Sequence, residues 1–393
     1  GAVIALFALA TVIVVAQRKW FFNKNFFMVN AVVYILALAT LFYTENWGYA
    51  HLKLETMVSL VLFPFLFSMF REEELVRIKQ KVRALLWVYI VAVFLLNVVP
   101  FFYFYLSNPN YGFAGILQHF PTIMVVDTGR YEIHPIYLSM HCSVAGLFSL
   151  YVFKGIEKNW AKVLLGLVNV VLLLFLLLYA KKGPLLALML VSFLFIGFQR
   201  KSKWVKPYIF GLIALAVLLV AIPKTRNNFF ELFSIETIEG GNITSTNIRY
   251  TIYNTAIAKI AEKPFTGYGI GDHNQALYDG YREAGNTYLL ENELNAHNQY
   301  LSLLLIGGLF LLLALFFTLG MNLVYAVRYN NQILILLIIF YSVVMFTENI
   351  LEREDGVIYF ALFLNFFARL SYEQPKKDGA AGHQKTPIEP YPA

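Results

Sequence analysis

The sequence predicts an all-α fold, a polytopic membrane helix bundle. Hydrophobic residues make up 59% of the 393 positions and charged residues only 14%, where soluble domains average about 45 to 50% and about 25%. Mean hydropathy is +0.62. Apolar runs of roughly 15 to 23 residues recur along the chain, and lipid offers no partner to a free N–H or C=O, so such runs must be helical. The runs are continuous, not alternating, which argues against a membrane barrel.

About eleven spans are expected, near Ala2 to Ala16, Phe26 to Thr44, Met57 to Phe70, Ala84 to Leu106, Pro135 to Phe153, Val163 to Ala180, Pro184 to Gln199, Pro207 to Ile222, Gln299 to Tyr325, Gln332 to Thr347 and Val357 to Leu370. Every second connection is basic: Arg18 to Lys24, Arg71 to Arg83, Lys154 to Lys162, Arg200 to Lys206, Arg328, and Arg369 to Lys377. These belong to the cytoplasmic side by the positive-inside rule, which places Thr44 to Thr56, Ser107 to His134, the Lys181-Lys182 junction, Glu348 to Asp355 and a loop of roughly 75 residues outside. The formal charge of +7 is then a topology signal and calls for no nucleic acid. With the tail inside and an odd number of spans, Gly1 would face out, so an initial segment is expected to be missing, either a twelfth helix or a cleaved signal peptide. The lone Cys142 lies inside an apolar span and permits no internal disulfide.

The domain reading follows: an N-terminal transmembrane bundle over 1–222, a periplasmic loop containing short helices over 223–298, C-terminal transmembrane helices over 299–372, and a polar, proline-rich, disordered cytoplasmic tail over 373–393. Arg71 to Arg83, which mixes Glu72, Glu73 and Glu74 with five basic residues, is expected to form a short cytoplasmic helix.

The long loop is where chemistry is expected. Asn247 can cap a helix whose apolar stripe is Ile248, Ile252, Ala256, Ile257 and Ile260, with Arg249 and Lys259 off the stripe and Pro264 ending it. Gly267-Tyr268-Gly269-Ile270-Gly271 follows no strand and reads as a tight turn, not a nucleotide fingerprint. His297 stands just before a span. A lone interfacial histidine is ordinarily a hydrogen-bonding anchor, yet Glu291, Glu293, Arg249 and the two lysines lie on the same predicted side and can converge with it on one cavity. No ligand spacing for a metal and no Ser or Cys nucleophile motif is present.

Asn247-Ile248-Arg249-Tyr250, then Lys263-Pro264-Phe265-Thr266-Gly267-Tyr268-Gly269, then His297-Asn298-Gln299-Tyr300-Leu301 and Gly307-Gly308 in the next helix resemble the O-antigen ligase and polymerase superfamily, most closely over Tyr179 to Phe310. His134-Pro135 with Tyr137, and Glu348-Asn349 through Gly356, are similar to features of its Bacteroidetes members. The resemblance implies a bacterial inner-membrane enzyme without metal or cofactor. Such an enzyme moves a glycan from an undecaprenyl diphosphate carrier to lipid A core, to a growing glycan, or to a protein, at the periplasmic face. It implies His297 as base and Arg249 with Lys182 and Lys181 as ligands of the donor diphosphate, with Asn298, Tyr300, Gly267 and Gly269 in support. The family's Ser-Arg-Gly is Lys181-Lys182-Gly183 here, and an ammonium cannot reproduce a bidentate guanidinium on phosphate.

The chemistry fits these residue types. Cations stabilise a leaving diphosphate, and a histidine accepts the acceptor hydroxyl's proton as it attacks the anomeric carbon, a displacement that inverts that centre and needs no paired carboxylates. O-antigen ligation is the expected activity, with O-antigen polymerisation and protein O-oligosaccharyl transfer as alternatives. A flippase or exporter without chemistry would spread its charges through the spans, whereas here they gather at one face.

Overall fold

The computed structural model describes residues 21–126, 133–199 and 243–371 continuously, with scattered positions within 9–16 and 209–238. The spans expected near 2–16 and 207–222 fall largely outside the described residues, and the tail from 373 lies wholly outside them.

Among the described residues every regular element is helical. In chain order they are α1 (Lys24–Ala39), α2 (Trp47–Met57), α3 (Ser59–Ser68), α4 (Glu72–Ser107), α5 (Gly112–Val126), α6 (Pro135–Phe153), α7 (Asn159–Tyr179), α8 (Lys182–Phe198), α9 (Ser245–Glu262), α10 (His273–Glu283), α11 (Thr287–Glu291), α12 (Gln299–Arg328), α13 (Gln332–Val344) and α14 (Glu354–Ser371). Six of these stretches, with α2 and α3 counted as one, are long and apolar enough to cross a bilayer, and α8 and α13 are apolar but shorter. The chain is a multi-pass membrane helix bundle.

The expected short helix at Arg71 to Arg83 is not separate. α4 runs unbroken for 36 residues, because no Gly or Pro interrupts the junction at residue 84 and Glu72, Glu73 and Glu74 occupy the favourable first turn. The connection Ser107 to His134, expected on the outer side, contains α5. Its Ile116 and Phe120 are buried, and the Phe120 ring meets those of Phe101 and Phe175 at 5.2 and 6.4 Å.

Sparse polar contacts fix the neighbours within this apolar core. Asn322 Nδ2 donates to Asn30 Oδ1 at 2.7 Å and joins α12 to α1. The Tyr179 hydroxyl donates to Asn97 Oδ1 at 2.7 Å and joins α7 to α4. Such bonds average about 0.6 kcal/mol in a bilayer, so they select partners more than they stabilise. α8 and α13 pack antiparallel and are pinned at both ends. Gln199 Nε2 donates to Gln332 Oε1 at 2.9 Å at one end; at the other, Gly183 abuts the Thr347 hydroxyl, which a Cβ there would have to displace.

α12 breaks at Gly307-Gly308, where Gly308 has φ +60° and ψ −154°. The chain just before α10 fills the break. Tyr268 N–H donates to Leu305 C=O at 2.7 Å, Gly269 N–H to Ile306 C=O at 2.9 Å, and Leu309 N–H to Pro264 C=O at 2.9 Å. The groups freed by the kink are thus satisfied by protein, as they must be near a bilayer. Gly308 faces the Phe265 backbone with no room for a side chain. The Pro-Phe-Thr-Gly-Tyr-Gly run is therefore more than a tight turn: it docks α9 to α11 onto α12. A second small core seals this dock, made of Ile252, Ala256, Leu277, Tyr281, Leu289, Ala296 and Leu305.

Candidate functional site

His297 ends the α11–α12 connection in a left-handed conformation, φ +43°. For a non-glycine residue this costs on the order of 1–3 kcal/mol and persists only where surroundings impose it. Here they do: His297 N–H donates to Asn295 Oδ1 at 3.0 Å, Gln299 N–H to Met345 C=O at 2.8 Å, and the Tyr253 hydroxyl, which donates to Phe346 C=O at 2.6 Å, lies 3.2 Å from His297 C=O. The strain points the imidazole at Glu348, whose Oε2 is 3.7 Å from Nδ1. That is an ion-pair separation, too long for a hydrogen bond, and Nδ1 has no hydrogen-bond partner among the described residues. Burial alone would raise the Glu348 carboxyl, but His297, then Arg249 and His134, outweigh it and hold it below the usual carboxylate range. Glu348 is therefore an anion at neutral pH.

The cations lie at the start of α9. Thr244 caps this helix, its hydroxyl accepting from Asn247 N–H at 3.1 Å, three residues before the cap expected at Asn247. Asn247 instead accepts from Glu236 N–H at 3.1 Å. The first turn holds no acidic residue, leaving the positive end of the helix dipole free to act on an anion. Lys182 Nζ donates to Thr246 Oγ1 at 2.9 Å and Ser245 Oγ at 3.2 Å. Arg249, one turn on, donates from Nη1 to Ser245 C=O at 3.4 Å, while its buried Nε has no partner among the described residues. Glu231 Oε2 stands among them, 2.6 Å from Lys182 Nζ and 3.4 Å from Ser245 Oγ. Lys181 is the cap position of α8, and it faces His134. Partial burial and then Lys181 lower His134 to about 4, so that imidazole is neutral at pH 7.

A buried polar network supports His297 from behind. Glu352 and His273 are each 1% exposed, 3.3 Å apart, with Lys53 Nζ at 3.5 Å. Ser302 and Asn349 also donate to Glu352, and Gln299 clamps it from both ends: Nε2 donates to Glu352 at 3.2 Å and Oε1 accepts from Leu351 N–H at 2.8 Å. Burial would push Glu352 up, and Lys53, His273 and Ser302 reverse this and lower it to about 2. The network joins α2, α10, α12 and the 348–352 turn, so the backbone on both sides of the His297–Glu348 pair is fixed by one charged centre.

Residues 167–317 match the O-antigen ligase family. Over this segment the chain carries an O-antigen ligase domain. No curated protein matches it. The family segment contains Lys182, Arg249 and His297 and stops short of Glu348. This O-antigen ligase domain thus takes the partner of its histidine from outside the matched segment.

Of the residues expected in the site, Lys182 and Arg249 meet at Ser245, and Arg249 and His297 both act on Glu348. Asn298 caps α12, its Oδ1 accepting from Tyr300 N–H at 3.0 Å and Leu301 N–H at 3.2 Å. The Tyr300 hydroxyl donates to Ser342 C=O at 2.7 Å and its ring packs on Phe346. Gly267 and Gly269 belong to the α12 dock. These four shape the scaffold. Glu291 and Glu293 are exposed, and the carboxylate beside His297 is Glu348 instead. The O-antigen ligase domain supports a transferase of lipid-linked glycans in general.

Proposed function

We propose that this is an inner-membrane glycosyltransferase that moves a glycan from an undecaprenyl diphosphate carrier to lipid A core at the periplasmic face. The observation that carries the reading is the convergence of His297, oriented by buried Glu348, with Arg249 and Lys182 at the open N-terminus of α9. The donor diphosphate takes the position that Glu231 holds and is bound by Lys182, Arg249 and the first-turn hydroxyls. Because Nδ1 faces Glu348, Nε2 is the nitrogen that accepts the proton of the acceptor hydroxyl. The acceptor oxygen forms its bond to the anomeric carbon as the bond from that carbon to the phosphate oxygen breaks. Undecaprenyl diphosphate leaves with the electron pair, and the anomeric centre inverts. Glu348 stabilises the imidazolium until its proton is released, as an orienting carboxylate does in other histidine-base sites.

Helix length supports a lipid-borne donor. α8 and α13 have 17 and 13 residues, about 26 and 20 Å at 1.5 Å per residue, short of the roughly 30 Å hydrocarbon layer. Lys182 at the start of α8, and Glu348 four residues past the end of α13, are thereby drawn down toward the level of a carrier's diphosphate.

The test offers purified protein an undecaprenyl diphosphate-linked glycan with lipid A core, a second lipid-linked repeat, and a Ser/Thr peptide in parallel. Glycosylated lipid A core is the expected product. Polymer or glycopeptide alone would move the assignment to polymerisation or protein glycosylation, and no product from any acceptor would refute the transferase chemistry.

A further inference from the structure

α6, α7 and α8 line a cavity of about 340 Å³, within the roughly 300 to 1,000 Å³ of ligand sites. Its wall on α6 runs from Cys142 to Phe153 and on α7 from Leu165 to Leu176, about 16 Å along each helix at 1.5 Å per residue. Counted from the outer end of α6 at Pro135, the wall extends from about 10 to about 27 Å deep, so it crosses the middle of the roughly 30 Å hydrocarbon layer. The floor is buried, at Leu172 and Ser192 for example, while Gly166, Val170 and Gly211 at the mouth are exposed toward lipid. Polar side chains at the cavity are turned back on their own helices: Ser149 Oγ donates to Ala145 C=O and Asn169 Nδ2 to Leu165 C=O, each at 2.8 Å. They seek no partner in the cavity, which therefore suits hydrocarbon and not sugar or phosphate. A glycine in a membrane helix ordinarily lets a second backbone approach closely. Gly166 and Gly211 do not, since a Cβ on either would meet no atom of the described residues within 4 Å; what they provide is the room itself.

We infer that this cavity holds the polyprenyl chain of the glycan carrier and makes the protein select for long carrier chains. The inference rests on the lipid-linked donor of the proposed reaction and adds a second binding site, for the part of the donor that does not react. α8 joins the two sites. Leu188 and Ser192 line the cavity about 9 and 15 Å along the helix from Lys182, so a carrier whose diphosphate meets Lys182 brings its chain down the bilayer beside the cavity. Length decides the occupant. A phospholipid acyl chain is confined to one leaflet, about 15 Å of the roughly 30 Å layer, whereas an undecaprenyl chain is longer than the whole layer and can follow a cavity from one leaflet into the other. Lipid is as apolar as the lining, so entry gains no hydrophobic energy. The cavity acts through packing and by fixing the path of a chain that would otherwise wander.

The test places the full chain in nanodiscs with undecaprenyl diphosphate that carries a diazirine at mid-chain. Photolabel should fall between Cys142 and Phe153 and between Leu165 and Leu176, and should be competed by unlabelled undecaprenyl diphosphate but not by phosphatidylglycerol. Gly166→Phe, and separately Gly211→Phe, should remove this label, because each puts a ring into the open space. Gly320→Phe, at another exposed glycine with open space around it on α12, should keep it. With an undecaprenyl diphosphate-linked glycan as donor, the two cavity variants should raise donor KM about three- to tenfold with kcat little changed, the scale of packing differences inside a bilayer. With the same glycan on geranyl diphosphate, whose chain is too short to reach the cavity, donor KM should stay within about twofold. Label spread evenly over the lipid-facing helices, or displaced by phosphatidylglycerol as readily as by the carrier, would show an ordinary lipid contact and overturn the assignment. An unchanged KM for the long-chain donor, or an equal rise for both donors, would overturn it as well. Failure of the transferase reading would appear separately, as full turnover by His297→Ala, and the photolabel, which needs no turnover, would still decide what fills the cavity.

Discussion

Replacing Glu348 with Gln keeps the size of the side chain and removes the charge that faces His297. At 3.7 Å and an effective dielectric of about 20, a pair of unit charges interacts by about 4 kcal/mol. The His297 side chain is 25% exposed, and solvent reduces this to about 2 kcal/mol for the imidazolium formed as the acceptor loses its proton, a rate loss of about 30-fold. The loss should fall on kcat, with both KM values nearly unchanged, because the imidazolium exists only as the proton is transferred. Steady-state kinetics of purified Glu348→Gln read both quantities. A kcat within threefold of wild type would refute the pairing of Glu348 with the base.

Arg249→Ala should lose about 10² to 10³ in rate, the usual cost of removing one preorganised donor, with Lys182→Ala less affected and Lys182→Arg active; wild-type turnover by Arg249→Ala would take it out of the site. Glu231→Gln should lower donor KM severalfold, because the carboxylate competes with the diphosphate for Lys182; a raised donor KM would show that Glu231 positions the lysine instead. Gly308→Ala should lower the melting temperature and expose residues 243–298 to protease, since φ +60° and the abutting Phe265 backbone exclude a side chain; a wild-type melting curve would contradict the docking of this segment on α12.

Much of the scaffold was legible because its signals are local. Runs of Leu, Val and Phe fixed α6, α7, α12 and α14 to within a few residues, since a bilayer leaves an apolar run no other structure. α5 was not legible: Pro121 lies inside it and its neighbours are polar enough to read as a loop, while the packing of Phe120 on Phe101 and Phe175 that secures it is tertiary. The same split runs through the site. Lys182, Arg249 and His297 stood out through short motifs in one stretch of chain. Glu348 lies some 50 residues beyond His297 on another turn, and the two meet only through tertiary bonds, from Gln299 N–H to Met345 C=O and through the Tyr253 hydroxyl between Phe346 and His297. The Pro-x-x-Gly-x-Gly run was visible, but its purpose depends on carbonyls freed by a kink at Gly307-Gly308, which no window containing residues 264–269 includes. Glu352 and His273 each look like ordinary loop polars until they are found buried against one another.

The account stands on His297 as the base, and turnover by purified His297→Ala tests it most directly. Rate should fall by about 10² to 10⁴ with donor KM little changed, because proton abstraction matters in the transition state and not in the ground state. Raising the pH should partly restore turnover by ionising more of the acceptor. A variant that is poorly expressed but has normal turnover per folded molecule at neutral pH would show His297 to be an interfacial anchor, and the proposed chemistry would be contradicted.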